Sequence, residues 1–270
     1  MRTSVIGCVI TALFAAVAAG QSPAEQSADR TFYFAHTKRA QQMQEVANAI
    51  RAIAGIREVS LDNAQKAMAF RGTAGQVELA SWLFNELDMA AGGVPAVPQI
   101  QNPPTYRLTS GGVTYEPATG IGNDVVRVYH LGNTATPQGL QEIINGMRSL
   151  GDLQRVMAYF EPSVITARGT ADQIALADWL IHELDKPADA PAPAPQPHEY
   201  RMAGSSGVVR VFYLTKAGGA QSFQEIVNEV RRTTNLPRVI GYPSQRAVAL
   251  RGTNDQAAAA EQVIQELDKR

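Results

Sequence analysis

The sequence has one cysteine, Cys8, and it lies in an apolar stretch near the N-terminus. A mature chain without this stretch would have no disulfide, no thiol nucleophile and no cysteine metal ligand, so its stability must come from packing. Charge of either sign is also not in excess, since 24 Lys and Arg oppose 25 Asp and Glu for a formal net charge of -1. A broad basic surface is therefore excluded, and we expect no nucleic-acid partner.

Long hydrophobic runs are also absent apart from residues 5–19, which are rich in Ala, Val, Ile and Leu. Arg2 precedes this run, small residues up to Gly20 offer cleavage sites, and a polar stretch follows. The run is too short for a membrane span and has the pattern of a secretory signal. We predict a signal peptide over residues 1–20, a periplasmic or extracellular protein, and no integral membrane span after cleavage.

Three short phrases recur along the rest of the chain. Arg-Gly-Thr occurs three times, Glu-Leu-Asp begins fifteen residues after each arginine, and Gln-Glu-(Val/Ile)-x-Asn begins twenty-seven residues before it. Residues 30–88, 127–185 and 210–268 therefore align without a gap. Chance does not produce three ungapped copies, so we predict three tandem copies of one module.

Proline-rich segments separate the copies. We place module 1 at residues 30–89, a Pro/Gly-rich linker at 90–105, module 2 with an N-terminal extension at 106–186, a Pro/Ala-rich linker at 187–197, and module 3 with a short extension at 198–270. The second linker is of the extended, semi-rigid kind, so we expect it to hold two modules apart. Tyr106-Arg107-Leu108 and Tyr200-Arg201-Met202 follow the linkers and predict an extra edge strand in each case.

Each copy shows the same series of hydrophobic periods. A β-branched and aromatic run is followed by apolar residues at helical spacing, two short apolar stretches with a turn between them, and a second helical stripe. The predicted fold class is α+β, with three βαββα modules. A module of this size has a thin core, so neighbouring modules or a partner should cover part of its surface.

The Gly-Thr-x-x-Gln phrase favours a helix cap over a phosphate-binding loop. Threonine three residues before glutamine is the spacing of a capping box, and the glycine lets the chain turn sharply out of the strand. The predicted capping residues are Gly72, Thr73, Gln76, Gly169, Thr170, Gln173, Gly252, Thr253 and Gln256.

A glutamate and an asparagine repeat on the first helix of each module and point away from its apolar face. They either mark a surface that all three modules use for assembly or belong to a solvated helix face, which is the ordinary case and the one we favour. The residues are Glu45, Asn48, Glu142, Asn145, Glu225 and Asn228.

Trp82 and Trp179 occupy equivalent positions roughly opposite the core stripe of the last helix, where the third copy has Gln262. Tryptophan is enriched at binding hot spots, which indicates an interface between modules or with a partner. Alternatively, each ring packs under the linker that follows its own helix.

Residues that would indicate catalysis are scattered. The four histidines, His36, His130, His182 and His198, lie in different copies without a paired histidine or carboxylate at metal-ligand spacing. The serines lie in turns and linkers, without a Gly-x-Ser-x-Gly elbow. We expect no enzyme, no cofactor and no metal.

The repeated residues resemble the short N-terminal domain of secretins, the ring-building and KH-like module of type II and III secretion and type IV pilus secretins. Module 2 carries the resemblance as Val-Arg-Val-Tyr-His-Leu at residues 126–131, Arg-Gly-Thr at 168–170 and Leu-Ile-His-Glu-Leu-Asp at 180–185. Module 3 repeats it from Val209 to Leu214 and at Arg251, whereas the first strand of module 1, Phe-Tyr-Phe, departs from it.

The resemblance implies a mixed three-stranded sheet with two helices in each module, and a family whose domains pack side by side into periplasmic rings. No long series of amphipathic strands for an outer-membrane pore is present, so we expect the modules without the pore domain. The leading hypothesis is an exported scaffold or accessory protein that binds itself or components of a secretion or pilus apparatus. A monomeric periplasmic binding module for an envelope protein, peptide or glycan is the alternative, and KH-like RNA binding is disfavoured by export, charge and the lack of a Gly-x-x-Gly loop.

Overall fold

The structure is a computed structural model that describes residues 27–92, 103–109, 112–114, 124–187, 198–204, 206–216 and 220–269. The predicted signal peptide and most of both predicted linkers lie outside the described residues. The described ranges form three modules, each with one antiparallel sheet and two helices. The predicted α+β class and the three repeated βαββα units are confirmed.

Module 1 contains the five elements of the basic unit. They are β1 (Ser27–Tyr33), α1 (Ala40–Ala54), β2 (Glu58–Asp62), β3 (Ala67–Thr73) and α2 (Ala74–Ala91). The sheet order is β1-β3-β2, with β3 paired antiparallel to both neighbours. The mixed sheet implied by the resemblance is therefore wrong. Strands β1 and β2 run in the same direction, but the β2–β3 hairpin folds β3 between them, so every pair is antiparallel.

Modules 2 and 3 repeat this unit and add strands. Module 2 consists of β4 (Thr105–Thr109), β5 (Gly112–Thr114), β6 (Asp124–His130), α3 (Pro137–Gly151), β7 (Arg155–Tyr159), β8 (Val164–Gly169) and α4 (Ala171–Leu184). Module 3 consists of β9 (His198–Arg201), β10 (Val208–Tyr213), α5 (Ala220–Thr234), β11 (Arg238–Tyr242), a 3-10 turn (Pro243–Gln245), β12 (Ala247–Gly252) and α6 (Asn254–Leu267).

The extra edge strand predicted after each linker is present as β4 in module 2 and β9 in module 3. The sheet orders are β5-β4-β6-β8-β7 and β11-β12-β10-β9, again with antiparallel pairs throughout. With the predicted edge strand added to the three of the basic unit, module 3 has the four strands expected, and module 2 has a fifth, β5. Strand β5 was not predicted, because three residues are too few to show an alternating hydrophobic pattern.

The second helix of every module starts in a capping box. Thr73 Oγ1 accepts a hydrogen bond from the Gln76 N–H at 3.3 Å, and Gln76 Oε1 accepts from the Thr73 N–H at 3.0 Å. Thr170 with Gln173 and Thr253 with Gln256 make the same pair of bonds. Each box satisfies helix N–H groups that have no partner within the helix.

Alternate residues of the central strands enter two different cores. In β10, Val208 and Phe212 pack with the helices of module 3, whereas Val209 and Val211 pack with residues of module 2. Strand β6 is buried in the same two-sided way, with Val126 and Val128 in the core of module 1. Side chains that alternate across a strand allow one sheet to join two cores.

The helices of one module therefore cover the sheet of the next, and the three modules form a continuous stack. Helix α1 packs on β7, and α3 packs on β11. The expectation that a Pro-rich linker holds the modules apart is wrong. The outer face of each following sheet is apolar, so direct contact removes it from water.

Candidate interaction surfaces

The repeated glutamates of the first two modules lie at the junctions between modules. Glu45 on α1 accepts a hydrogen bond at Oε2 from the Phe160 N–H of module 2, at 3.0 Å. Glu142 on α3 accepts one at Oε2 from the Ser244 N–H of module 3, at 3.1 Å. The solvated-face interpretation is therefore wrong for these two carboxylates. Each one binds the backbone of the turn that follows the first strand of the neighbouring hairpin.

Glu225, the third repeated glutamate, is exposed on α5. Its Oε1 accepts a hydrogen bond at 3.3 Å from Gln221 on the same helix. The described residues contain no fourth module that could pack on α5. Glu142 makes the corresponding bond within its helix, from Gln138 at 2.8 Å. The two glutamates thus differ chiefly in the contact across the junction.

The repeated asparagines are exposed and bonded within their own helices. Each accepts a hydrogen bond at Oδ1 from the glutamine four residues earlier. The donors and acceptors are Gln44 and Asn48 at 3.1 Å, Gln141 and Asn145 at 3.0 Å, and Gln224 and Asn228 at 2.9 Å. The same polar pair is therefore presented by all three modules.

The two tryptophans pack between modules. The Trp82 ring on α2 lies 5.3 Å from the Tyr106 ring of β4, and the Trp179 ring on α4 lies 5.6 Å from the Tyr200 ring of β9. Both indoles are half-buried, and each one contacts the first strand of the next module. Gln262, at the equivalent position of module 3, is exposed.

Two tyrosines at the centres of the junctions were missed by the sequence reasoning. Tyr159 ends β7 and Tyr242 ends β11, and both are completely buried among residues of the preceding module. The Tyr159 hydroxyl lies 3.4 Å from Thr37 Oγ1 of module 1, whereas the Tyr242 ring lies on Gly146 of module 2. The signal was a tyrosine at the same position of two copies, directly before a hairpin turn.

The arginine of the repeated Arg-Gly-Thr phrase also joins modules. Arg168 Nη1 donates to the Ile53 carbonyl at 2.8 Å, and Arg251 Nη1 donates to the Leu150 carbonyl at 2.7 Å. Both carbonyls lie at the C-terminal ends of first helices, where backbone acceptors lack intrahelical partners and the helix dipole favours a cation. Arg71, in module 1, pairs instead with Asp29 of its own sheet.

The aspartate of the Glu-Leu-Asp phrase fixes the loop after the first strand. Asp88 is 5% exposed and accepts hydrogen bonds from the backbone N–H groups of Ala35 at 2.9 Å and Thr37 at 2.8 Å. Burial by itself would raise the pKa of the Asp88 carboxyl, but these N–H donors outweigh it and hold the pKa below its ordinary value. Because Thr37 also contacts Tyr159, this loop contributes to the first junction.

Comparison with known proteins gives no family. No protein-family profile and no curated protein matches the sequence. Among solved structures the chain is similar to Aeromonas hydrophila ExeD, with 15% sequence identity and a TM-score of 0.22. The similarity covers 90% of this chain and 41% of that chain, so this chain spans less than half the length of ExeD. At this TM-score a shared fold is not shown, and the secretin relationship stays a resemblance carried by the repeated residues.

Neither a metal-binding cluster nor a membrane-spanning helix is present in the described ranges. They contain no group of three or more His, Cys, Asp or Glu side chains placed to hold a metal ion. No helix within them is both long enough and apolar enough to cross a membrane.

Glu142→Ala is expected to lower the free energy of unfolding by about 0.5–1.5 kcal/mol, because the exposed Ser244 N–H loses a charged acceptor at the junction. Glu225→Ala is the matched control and should lower the free energy of unfolding by less than about 0.5 kcal/mol. This glutamate is exposed, and its hydrogen bond in the described part of the chain comes from Gln221 on the same helix. Urea unfolding of both variants measures the difference. Equal losses would contradict a role of Glu142 across the junction.

Proposed function

We propose that this chain is an exported, non-enzymatic scaffold protein whose secretin N-domain-like modules mediate protein–protein assembly in a secretion or type IV pilus apparatus. The observation that carries the proposal is that one contact between modules is built twice from equivalent residues. Glu45, Tyr159 and Arg168 make it at the first junction. Glu142, Tyr242 and Arg251 make it at the second.

Because the same contact occurs at both junctions, we infer that binding another module is a general property of this module. A buried aromatic residue at the centre, with hydrogen-bonded charges around it, is the usual arrangement of a protein interface that contributes much binding energy. The resulting stack holds three copies of the same outer surface at fixed positions. Such a stack suits a scaffold, which must present binding surfaces in a defined order.

The proposed assembly surface for partners is the exposed polar pair repeated on α1, α3 and α5, which includes Asn48, Asn145 and Asn228. The residues at the junctions already make contacts within the chain, where Trp82 and Trp179 pack on tyrosines of the following module. The proposed role needs no catalytic residue, cofactor or metal.

A second candidate is a monomeric periplasmic binding module for an extended peptide or envelope protein. The observation that favours it is the position of β1 at the edge of its sheet. In modules 2 and 3 the equivalent strands β6 and β10 are covered by β4 and β9, whereas no described strand covers β1 on that side. An added strand could pair there by backbone hydrogen bonds.

In-cell photo-crosslinking from Asn145, compared with the exposed and unrepeated Gln154, tests the scaffold proposal. We expect a crosslinkable residue at Asn145 to yield adducts with a second copy or with a secretion or pilus component, in a protein that lacks residues 1–20 and is recovered from the periplasm. Gln154 should yield no such adduct. Cytoplasmic retention, or a monomer with no adducts above the Gln154 background, would contradict the proposal, and binding of an extended peptide by that monomer would favour the second candidate.

A further inference from the structure

The sheet face of module 1 lacks the tyrosine that lies at the centre of each junction. Asp62 occupies the position of Tyr159 and Tyr242, and it is exposed where both tyrosines are completely buried. Its carboxylate accepts hydrogen bonds from the N–H groups of Ala64 at 2.9 Å and Gln65 at 3.0 Å. Ala64 is equivalent to Ser244, whose N–H binds Glu142 at the second junction. Asp62 therefore removes the aromatic residue and also occupies the turn N–H that a neighbouring module would need.

The helix face of module 3 is altered at the facing positions. Glu229 on α5 takes the place of Ala49 and Gly146, the small buried residues of the equivalent helices. Thr233 takes the place of Ile53 and Leu150, which are completely buried, and is itself exposed. A groove of about 580 Å³ lies on this face, and Glu225, Glu229, Arg232 and Glu266 are among its lining residues. The outer end of module 3 is thus polar where the inner junctions are apolar.

We propose that Asp62 and Glu229 prevent head-to-tail docking between copies, so that the sheet of module 1 in one copy does not bind the helices of module 3 in another. In a head-to-tail contact with the geometry of the second junction, Asp62 would lie at the site of Tyr242 and Glu229 at the site of Gly146. Asp62, and Glu229 with its ion-pair partner Arg232, would then lose water with no apolar contact in return, an arrangement that rejects unwanted partners.

Terminal copies with a polar outer face are typical of repeat proteins, because an unmodified end would continue to add copies. The other residues of the interface are partly kept at both ends, since Glu225 and Arg71 are equivalent to Glu142 and Arg251. The positions of the tyrosine and of the small residue beneath it therefore decide whether two copies dock head to tail. A larger assembly must therefore form through other surfaces of the chain. The block to head-to-tail docking does not depend on the proposed scaffold role.

Two complementary variants test this inference on the full chain. Ser60→Ile with Asp62→Tyr gives module 1 the residues of module 3, and Glu229→Gly with Thr233→Leu gives module 3 the residues of module 2. Each variant alone should keep the mass of the unaltered protein in light scattering, because it has one open end. An equimolar mixture should form a complex with one added copy, and a chain with all four changes should form oligomers that grow with concentration.

Cysteine trapping tests contact between the sheet of module 1 and the helices of module 3 without changing Asp62 or Glu229. In a Cys8→Ser background, Ala64→Cys on one copy and Glu225→Cys on another should form almost no disulfide, whereas Glu142→Cys with Ser244→Cys in one chain should form it readily. A disulfide between native ends in a yield close to the internal control would overturn the inference. So would folded complementary variants, checked by circular dichroism, that fail to form the mixed complex.

Discussion

Tyr242→Asp is expected to separate module 3 from module 2 and to remove about 4 kcal/mol of junction stability. The tyrosine is completely buried, its ring lies on Gly146, and burial raises the pKa of its hydroxyl well above the ordinary range. Loss of a buried aromatic side chain commonly costs about 3–5 kcal/mol. Aspartate also places a second carboxylate near Glu142, whose charge already affects the tyrosine, so the closed junction becomes still less favourable.

The chain contains its own reporter for this junction. Its two tryptophans lie at different junctions, so a Trp82→Phe background leaves Trp179 as the single indole, packed on Tyr200 of module 3. In that background Tyr242→Asp should shift the fluorescence of Trp179 to longer wavelength, and small-angle scattering should show a longer, more variable particle. Urea unfolding should show module 3 melting before modules 1 and 2.

Tyr242→Phe is the matched control. Within the described part of the chain the Tyr242 hydroxyl is buried without a hydrogen-bond partner, so its removal should be neutral or slightly stabilising. Gly146→Ala should weaken the junction, because an added Cβ would overlap that hydroxyl and lie 2.9 Å from the ring carbon that bears it. Phenylalanine at position 242 should then recover part of the loss. An unchanged Trp179 spectrum in Tyr242→Asp would show that the junction does not depend on this side chain.

The basic unit was predictable because its signals are local. Helical spacing on the first helix, the turn between two apolar stretches and the Thr73 capping box each depend on residues close together in the chain. The stacking was harder to predict, because the partners of Tyr159 and Glu45 are more than a hundred residues away in sequence.

One signal for the stack was present in the strands. Val126 and Val128 alternate with Val125 and Tyr129, so β6 is apolar on both faces, which a sheet with one solvated face would not need. The same pattern in β10 was interpreted only as a strand. Glu45 carried no such signal, because a carboxylate on a polar helix face gives no sign that a neighbouring turn binds it. Sequence position distinguishes helix faces, but it does not show which faces are covered.

Stacking also accounts for how modules with so few residues remain folded. Each sheet has one face on its own helices, and in modules 2 and 3 the other face is covered by the module before it. Burial of both faces increases the apolar area removed from water per residue, which a small separate domain cannot achieve. The outer sheet face of module 1 has no module before it and is polar at Ser60 and Asp62, both of which are exposed. An apolar residue at either position would be left in water.

Asp88→Asn is expected to destabilise module 1 by about 3 kcal/mol at neutral pH, at the upper end for hydrogen bonds to a charged group, and to loosen the first junction. The nearly isosteric amide loses the charge that strengthens the bonds from Ala35 and Thr37, and its own N–H₂ group opposes one of these donors. Asp268→Asn in module 3 is the control. Asp268 accepts hydrogen bonds from the N–H groups of Thr215 at 2.9 Å and Lys216 at 3.0 Å, which are equivalent to those of Ala35 and His36. These bonds lie at an exposed site where each contributes less, so the loss of the charge should cost about 1 kcal/mol.

The pH dependence distinguishes an ionic contribution of Asp88 from simple packing. Its folded-state pKa is below the ordinary value of 3.8, so the carboxylate contributes its full stability above that value and loses it as the pH falls through the folded-state pKa. Urea unfolding should therefore show a large difference between the unaltered protein and Asp88→Asn at pH 7, and a difference that narrows steadily below about pH 3.8. A difference independent of pH would mean that the asparagine disturbs the shape of the loop, and that the charge of Asp88 contributes little to it.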